Sequence, residues 1–196
     1  NNANQYFICG SDNIQFGDNF VKTTIILDGI QDYPGLIKND TCDSLTGVYS
    51  SKKNITIKNI DIQQHDQWIT TIASDGGGIA QTNFGRNNDN NSTIIIYGCS
   101  CDIDITNSNA GGIAGSYFGS GAKDSSTLSI VNCHSRGDIN ATGAGGIVGQ
   151  YFGKQASGSS NLSISNCNST GDINATGAGA GGITGGGFGQ NISGTS

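Results

Sequence analysis

The chain has no methionine, one proline and one tryptophan among its 196 residues, and its apolar content is low. Only 34% of the residues are apolar and 7% are aromatic, less than a compact globular domain of this length normally uses for its core. Residues of high helix propensity are scarce, whereas the 32 glycines and many Asn, Ser and Thr residues favour turns or extended chain. These shortages argue against a helical protein and predict short strands around a thin core.

Basic residues and long apolar runs are also rare. Nine Lys and Arg face fifteen Asp and Glu, so there is no basic stripe to neutralise phosphates, and we expect no nucleic-acid partner. No run of eighteen apolar residues occurs, and we therefore expect no membrane span. Arg86, Arg136, His65 and His134 are all the arginines and histidines, and no cluster of acidic and basic residues stands outside the repeated positions. The sequence therefore predicts no catalytic residues and no cofactor.

The dominant pattern is an internal repeat. Cys99, Cys133 and Cys167 follow one another at steps of 34 residues. The same step separates Asp104, Asp138 and Asp172; Ile105, Ile139 and Ile173; and Gly78, Gly112 and Gly146. Identical steps at apolar, acidic and glycine positions indicate coils stacked in register rather than a meander or a sandwich.

Each repeat contains three short segments typical of strands, which in the third repeat read TLSIVNC, GDINAT and GGIVGQYF. Stacking them with like residues about 4.8 Å apart predicts an all-β protein, a right-handed parallel β-solenoid of about five coils. Leu128, Ile130, Ile139 and Ile147 are expected to point inwards. The glycine pair at 145–146 is expected to permit a tight corner or a close approach of neighbouring walls.

The repeats do not begin at the start of the chain. Residues 1–50 contain apolar runs but match the unit poorly, which predicts an atypical N-terminal cap and lead-in. Residues 51–196 form the solenoid, with repeats at about 51–91, 92–125, 126–159 and 160–196.

One repeat position carries asparagine. Asn59, Asn132 and Asn166 share it, with Gly98 interrupting the series. We expect their amides to form a short ladder, because stacked asparagine side chains can hydrogen-bond along a column.

The six cysteines do not form a dense disulfide framework. Cys99, Cys133 and Cys167 are predicted to be a stacking ladder of buried thiols, since disulfides between neighbouring coils would be geometrically tight. Cys9 and Cys42, both in the cap, are the better candidates for a disulfide.

Two metal sites can be weighed, and neither is favoured. A zinc site built from Cys99, Cys101, Cys133 and His134 would lack the paired C-x-x-C spacing of structural zinc sites. The repeated aspartates would relieve their mutual repulsion by binding calcium, but solvated aspartates at a turn explain them as well. The calcium-binding nonapeptide is not present. We therefore predict no metal.

Glycosylation and glycan contact are the remaining signals. Nine N-x-S/T sequons begin at Asn39, Asn54, Asn90, Asn91, Asn140, Asn161, Asn168, Asn174 and Asn191. Asn54, Asn140, Asn168 and Asn174 are singled out as possible glycosylation sites. Trp68, in the longer connection of the first repeat, lies in the polar and aromatic stretch 61–68; it would either contact carbohydrate or fold over the cap and cover core.

The segments GGIAG (111–115), GGIVG (145–149) and GGITG (181–185), each followed closely by Phe-Gly, resemble GLUG-type repeats. Such repeats occur in large bacterial surface adhesins and in repeat proteins of amoeba-associated giant viruses, and the resemblance covers roughly residues 55–196. It implies a surface-exposed β-solenoid and brings no catalytic residues with it. Ile stands here where Leu is usual in the bacterial pattern.

Five coils make a block only about 25 Å tall, too short to be a fibre alone. The last repeat runs out in GQNISGTS without an obvious cap, and we expect something to cover that end. If a second copy docks there, the contact does not close and a filament grows. The leading expectation is thus a structural subunit of an extracellular or virion-surface fibre, a head-to-tail homopolymer. The alternatives are an adhesin-type module that recognises a glycan or a host protein, and, less favoured, an enzyme acting on polysaccharide.

Overall fold

The structure, a computed structural model, describes residues 6–42, 46, 49–65 and 69–193, with Cys42 and Tyr49 described by their backbone alone. Every regular element in these ranges is a strand. The strands are β1 (Phe7–Ile8), β2 (Gln15–Phe16), β3 (Thr23–Leu27), β4 (Ile37–Lys38), β5 (Thr41–Cys42), β6 (Tyr49–Ser50), β7 (Ile55–Lys58), β8 (Ile60–Gln64), β9 (Thr93–Tyr97), β10 (Ser100–Cys101), β11 (Thr127–Val131), β12 (His134–Ser135), β13 (Asn161–Ser165) and β14 (Asn168–Ser169).

Two parallel five-stranded sheets form two faces of the molecule. The first sheet has the order β2-β7-β9-β11-β13, and the second has the order β3-β8-β10-β12-β14. Each strand pairs with its counterpart one winding away, as Leu128 does with Ile94 and Leu162. The predicted fold class is confirmed: the chain is a parallel β-solenoid. About four turns of the chain connect the five strands of each sheet, slightly fewer than the five coils expected.

The third face is held by single parallel bridges rather than by a continuous sheet. Its central column runs through Ile37, Ala80, Ala114, Val148 and Thr184. We use the word rung for one level of the stack, which contains one residue from each column. Since β1 also pairs with β4 and puts Phe7 beside Ile37, the third face has six rungs where each sheet has five.

The core follows from the alternation within the strands. In β11 the side chains of Leu128 and Ile130 point inwards and are fully buried, while their neighbours in sequence are partly exposed. Ile139 and Ile147 are fully buried as well, so all four inward predictions are confirmed. Behind the third face, phenylalanine rings stack with their planes within 11° of one another, at centroid distances of 5.2–6.2 Å; they are Phe84, Phe118, Phe152 and Phe188.

The glycine pairs of the third face allow close approach rather than a left-handed corner. A Cβ on Gly146 would lie 2.2 Å from the carbonyl oxygen of Gly182 and 2.3 Å from Oγ of Ser169. The inward-facing residues of the second sheet thus fill the space that a side chain on the third face would take. At Gly146, any residue larger than glycine would push the two walls apart.

One column of left-handed corners lies instead at the repeated asparagines. Asn59, Asn132 and Asn166 have φ between 51° and 54°, and Gly98, in the same column, has φ 65°. Asparagine and glycine are the residues that adopt this conformation most easily, which explains why they exchange here. The amide of Asn59 donates to the carbonyl of Asp18 rather than to another asparagine. The backbone conformation, rather than an amide ladder, therefore explains why asparagine and glycine occupy this column.

The segment predicted as a cap is continuous with the solenoid. Within residues 1–50, β2 pairs with β7 and β3 pairs with β8, in the same parallel register as the later rungs. The antiparallel pair of β5 and β6 interrupts this first winding as a hairpin. This hairpin hides the first rung in the sequence, because it breaks the 34-residue step.

Candidate functional site

The candidate site consists of the two ends of the solenoid. We define the last end as the rung that contains β13, β14 and residues 173–193, and the first end as the rung of β2 and β3 together with β1. At the last end, Ile173 is 52% exposed and Phe188 is 62% exposed, whereas their counterparts Ile139 and Phe152, one rung inward, are buried. Ile183 is likewise exposed although Ile147 is not. The same columns that form the core therefore open to solvent at this end.

The first end has an apolar hollow. Its volume is about 240 Å³, and its lining residues are Phe7, Phe16, Gly17, Thr23, Ile25, Leu36, Ile37 and Ile60. Phe7 stands at its rim, more than half exposed and 6.0 Å from the ring of Phe16. The hollow is thus the underside of the core at the first rung.

The two ends match each other column by column. Following the register from rung to rung, Ile164 belongs to the column that ends in Phe16 at the first end. Leu162 belongs to the neighbouring inward column, which ends at Ile14, and both Leu162 and Ile14 are only partly buried. An apolar side chain at one end therefore occupies the same column as an apolar side chain at the other.

Outside the ends, Asp61 is a buried carboxylate on the outward-facing side of the second sheet, surrounded by hydrogen-bond donors. Its carboxylate accepts hydrogen bonds from Ser100 Oγ and Gln63 Nε2, and Nη2 of Arg136 lies 3.2 Å away. Burial raises the pKa of Asp61, but these donors together with the charge of Lys22 hold it below its usual value. Arg136 also pairs with Asp102, one rung below it in the 34-residue repeat. With its donors already bound, this cluster ties rungs together and offers little for catalysis.

The predicted cysteine ladder lies in a single column. The backbone N–H of Cys133 points to Sγ of Cys167 at 3.4 Å, and Sγ of Cys133 lies 3.3 Å from the carbonyl oxygen of Val131. Hydrogen bonding from Cys133 lowers the pKa of Cys167 to about 7. The reverse interaction, together with burial, raises the pKa of Cys133. Cys99 and Cys133 are buried, and Cys167, in the last rung, is partly exposed.

The repeated aspartates act as turn residues. Oδ1 of Asp104 accepts the backbone N–H of Asp138 at 2.9 Å, and Oδ1 of Asp138 accepts that of Asp172 at 2.8 Å. Each carboxylate thus anchors the next rung. Among the residues described, no three His, Cys, Asp or Glu side chains are arranged to hold a metal ion.

Two sequence predictions fall partly outside the described residues. Cys9 is buried, and burial raises the pKa of its thiol to about 11, but the side chain of Cys42 is outside the described part. Their pairing stays a prediction. Trp68, the candidate for glycan contact, also lies outside the described residues.

The singled-out sequons lie on the outer surface. Asn54, Asn140, Asn168 and Asn174 are all exposed. The amide of Asn174 donates to Oδ1 of Asn140 at 3.1 Å, and Oδ1 of Asn168 lies 2.6 Å from Nδ1 of His134. By contrast, Asn39 is 2% exposed and its amide is bonded to Lys52, which makes it a poor acceptor for a glycan.

Sequence reasoning missed the exposed side chains of β1 and the Asp61 cluster. Asp61 and Arg136 are 75 residues apart, and only the 34-residue step from Arg136 to Asp102 hinted that this arginine faces acidic neighbours. β1 precedes every recognisable repeat, so the 34-residue step gave no indication of its place on the third face.

No protein-family model, curated protein or solved structure matches this chain. No helix within the described ranges is suited to crossing a bilayer.

Proposed function

We propose that this chain is a structural subunit of an extracellular or virion-surface fibre, in which copies stack head to tail through the ends of the solenoid. The observation that carries the proposal is the exposure of Ile173, Ile183 and Phe188 at the last end, where the equivalent residues of the inner rungs are buried. The apolar hollow at the first end offers a surface of matching chemistry.

The energetics favour a further rung on this end. Burying a large apolar side chain completely contributes about 1.5–3 kcal/mol, and several such side chains lie together at the last end. The outermost strands β13 and β14 have backbone groups that only a further strand can pair in ladder fashion. Because the two ends differ, their contact is heterologous and repeats without closing, which produces a filament.

The outer side faces of the solenoid lie away from the proposed contact between copies and could carry glycans. Its exposed sequons at Asn140, Asn168 and Asn174 are positions at which glycans would not obstruct stacking through the apolar columns. Localisation at an extracellular or virion surface is part of the proposal and rests on these sequons and on the resemblance to GLUG-type repeats.

The test is a substitution at one end with a control on a side face. Phe188→Asp places a charge on the exposed ring column, and we expect it to raise the protein concentration needed for assembly at least tenfold. Tyr97→Asp is the matched control, since Tyr97 is an exposed aromatic residue on the outer face of a middle rung. Sedimentation velocity and negative-stain microscopy measure particle length. A second chain, Phe7→Pro, loses the hydrogen bond from the Phe7 N–H to Leu36 that holds β1 at the first end. Uniform single blocks of both this chain and the unsubstituted chain at high concentration would rule the proposal out.

A further inference from the structure

The first end is stepped. On the third face, β1 adds a rung below β4, with Phe7 beside Ile37 and Ile8 beside Lys38. On the two sheets, β2 and β3 are the outermost strands. The last end has no corresponding recess, since β13, β14 and the bridges at Gly181 and Thr184 complete one rung on all three faces. In a head-to-tail contact, the last end, which is level on all three faces, would therefore meet a first end that has an extra strand on its third face.

The step creates a conflict when two copies stack in register. Pairing β13 with β2 and β14 with β3 would continue both sheets, with Ile164 placed next to Phe16. At that level the third face of the incoming copy would bring Thr184 to the place beside Ile37. Phe7 already occupies that place.

β1 is held by backbone hydrogen bonds to the third face and by the contact between the rings of Phe7 and Phe16. The backbone N–H groups of Phe7 and Cys9 donate to the carbonyls of Leu36 and Lys38, at 2.8 and 2.9 Å. Phe7 and Ile8 both keep more than half of their surface exposed. By comparison, the incoming copy would pair strands on both sheets as well as on the third face.

We propose that β1 is a displaceable strap: it occupies the third-face docking position of a second copy of this chain, and residues 181–184 of that copy replace it during assembly. The inference rests on the proposed head-to-tail function. It adds the register in which two copies pair, and it makes displacement of β1 the process that limits growth. The competing arrangement keeps β1 in place and adds the second copy to its outer edge. That arrangement would leave a gap one rung deep between the sheets of the two copies, at the mouth of the apolar hollow.

Two proline substitutions separate these arrangements. In a parallel pair, alternate residues bond to the same neighbour, so the N–H groups of Phe7 and Cys9 face β4 and that of Ile8 faces the outer edge. Phe7→Pro removes a bond that holds the strap, whereas Ile8→Pro removes only the donor that an added strand would use. A second strap variant, Phe7→Ser with Ile8→Ser, keeps the backbone bonds and removes the apolar packing.

The measurement is the threshold concentration for assembly of the full chain, by light scattering and sedimentation velocity. We expect Phe7→Pro and the double serine variant to lower the threshold about tenfold, and Ile8→Pro to leave it within about twofold of the unsubstituted chain. Loss of assembly in Ile8→Pro, or a higher threshold in both strap variants, would overturn the strap and leave head-to-tail stacking intact. Failure of every variant to assemble at any concentration would overturn the stacking proposal itself.

Discussion

At the scale of single residues, the corners of the solenoid explain the unusual composition. Among the residues that the structure describes, eleven of the eighteen non-glycine residues with positive φ are asparagines, and most of the others are Asp or Ser. Tyr117 and Tyr151 are the bulky exceptions, and left-handed backbone costs such residues about 1–3 kcal/mol. Their rings contact each other at 4.9 Å, and Nζ of Lys154 lies 4.0 Å from the centroid of Tyr151. These ring and cation contacts offset part of that cost.

The glycine column of the third face gives a prediction with a control in the same column. A Cβ on Gly112 would lie 2.2 Å from both the carbonyl oxygen of Gly146 and Oγ of Ser135, so we expect Gly112→Ala to lower the free energy of unfolding by at least about 1–3 kcal/mol. In the last rung, a Cβ on Gly182 would meet nothing closer than 3.8 Å, and Gly182→Ala should change it by less than about 0.5 kcal/mol. Urea unfolding measures both. Equal losses would mean that packing between the walls is not the cause.

The thiol column predicts a reactivity that depends on pH. Because Cys133 donates to Cys167 and lowers its pKa to about 7, roughly half of Cys167 is thiolate at neutral pH, and alkylation of this residue should rise through pH 7. Cys101 serves as the internal control, since burial raises its pKa to about 12 and it should stay unmodified in the folded protein. Peptide mass spectrometry after iodoacetamide treatment gives both profiles. In Cys133→Val the midpoint for Cys167 should move up towards the ordinary thiol value; an unchanged midpoint would contradict the stated cause.

At the scale of the elements, the strands that the sequence predicted best are those with an undisturbed repeat. β9, β11 and β13 were recognisable because their inward residues recur at the 34-residue step, and in β11 and β13 these residues are separated by a serine, Ser129 or Ser163. β2 and β3 were hidden, since the β5–β6 hairpin lengthens the first winding. The open ends depend on which columns have no neighbour, a property of the three-dimensional stack that local pattern does not record. The Asp61 cluster was likewise not predictable from local pattern, because its residues come together only in the three-dimensional stack.

The second sheet is stabilised across three rungs by the Asp61 cluster, which predicts a pH dependence. The folded-state pKa of Asp61 is lowered, so its stabilisation is fully present above the unfolded value near 4 and is lost as pH falls through the lower folded value. Asp61→Asn should therefore reduce the free energy of unfolding by about 1–3 kcal/mol at pH 7. The difference from the unsubstituted protein should shrink below pH 4. Asp172→Asn is the control, because Asp172 is an exposed aspartate of the last rung. A gap that persists unchanged at low pH would show that the charge of Asp61 is not responsible.

At the scale of the whole molecule, the fold is a one-dimensional stack in which each rung contacts only its neighbours. The stability of such a stack is approximately a sum of the stabilities of its rungs and of the contacts between them, so a rung with one neighbour opens most easily. The central strands β9 and β11 are covered on both sides, whereas β13 and β14 pair on one side within the described residues.

This arrangement predicts where hydrogen exchange changes on assembly. In dilute protein, the amides of the outermost strands β2, β3, β13 and β14 should exchange faster than those of the central strand β9. In assembled protein, β13, β14, β2 and β3 should gain protection while β9 stays unchanged, because only the outermost strands acquire a new neighbour. The amides of β1 should lose protection at the same time if the strap is displaced. The Phe188→Asp chain, kept unassembled at the same concentration, is the reference for each segment. Protection that appeared first on a side face, at Tyr97 and its neighbours, would identify lateral association as the mode of assembly instead.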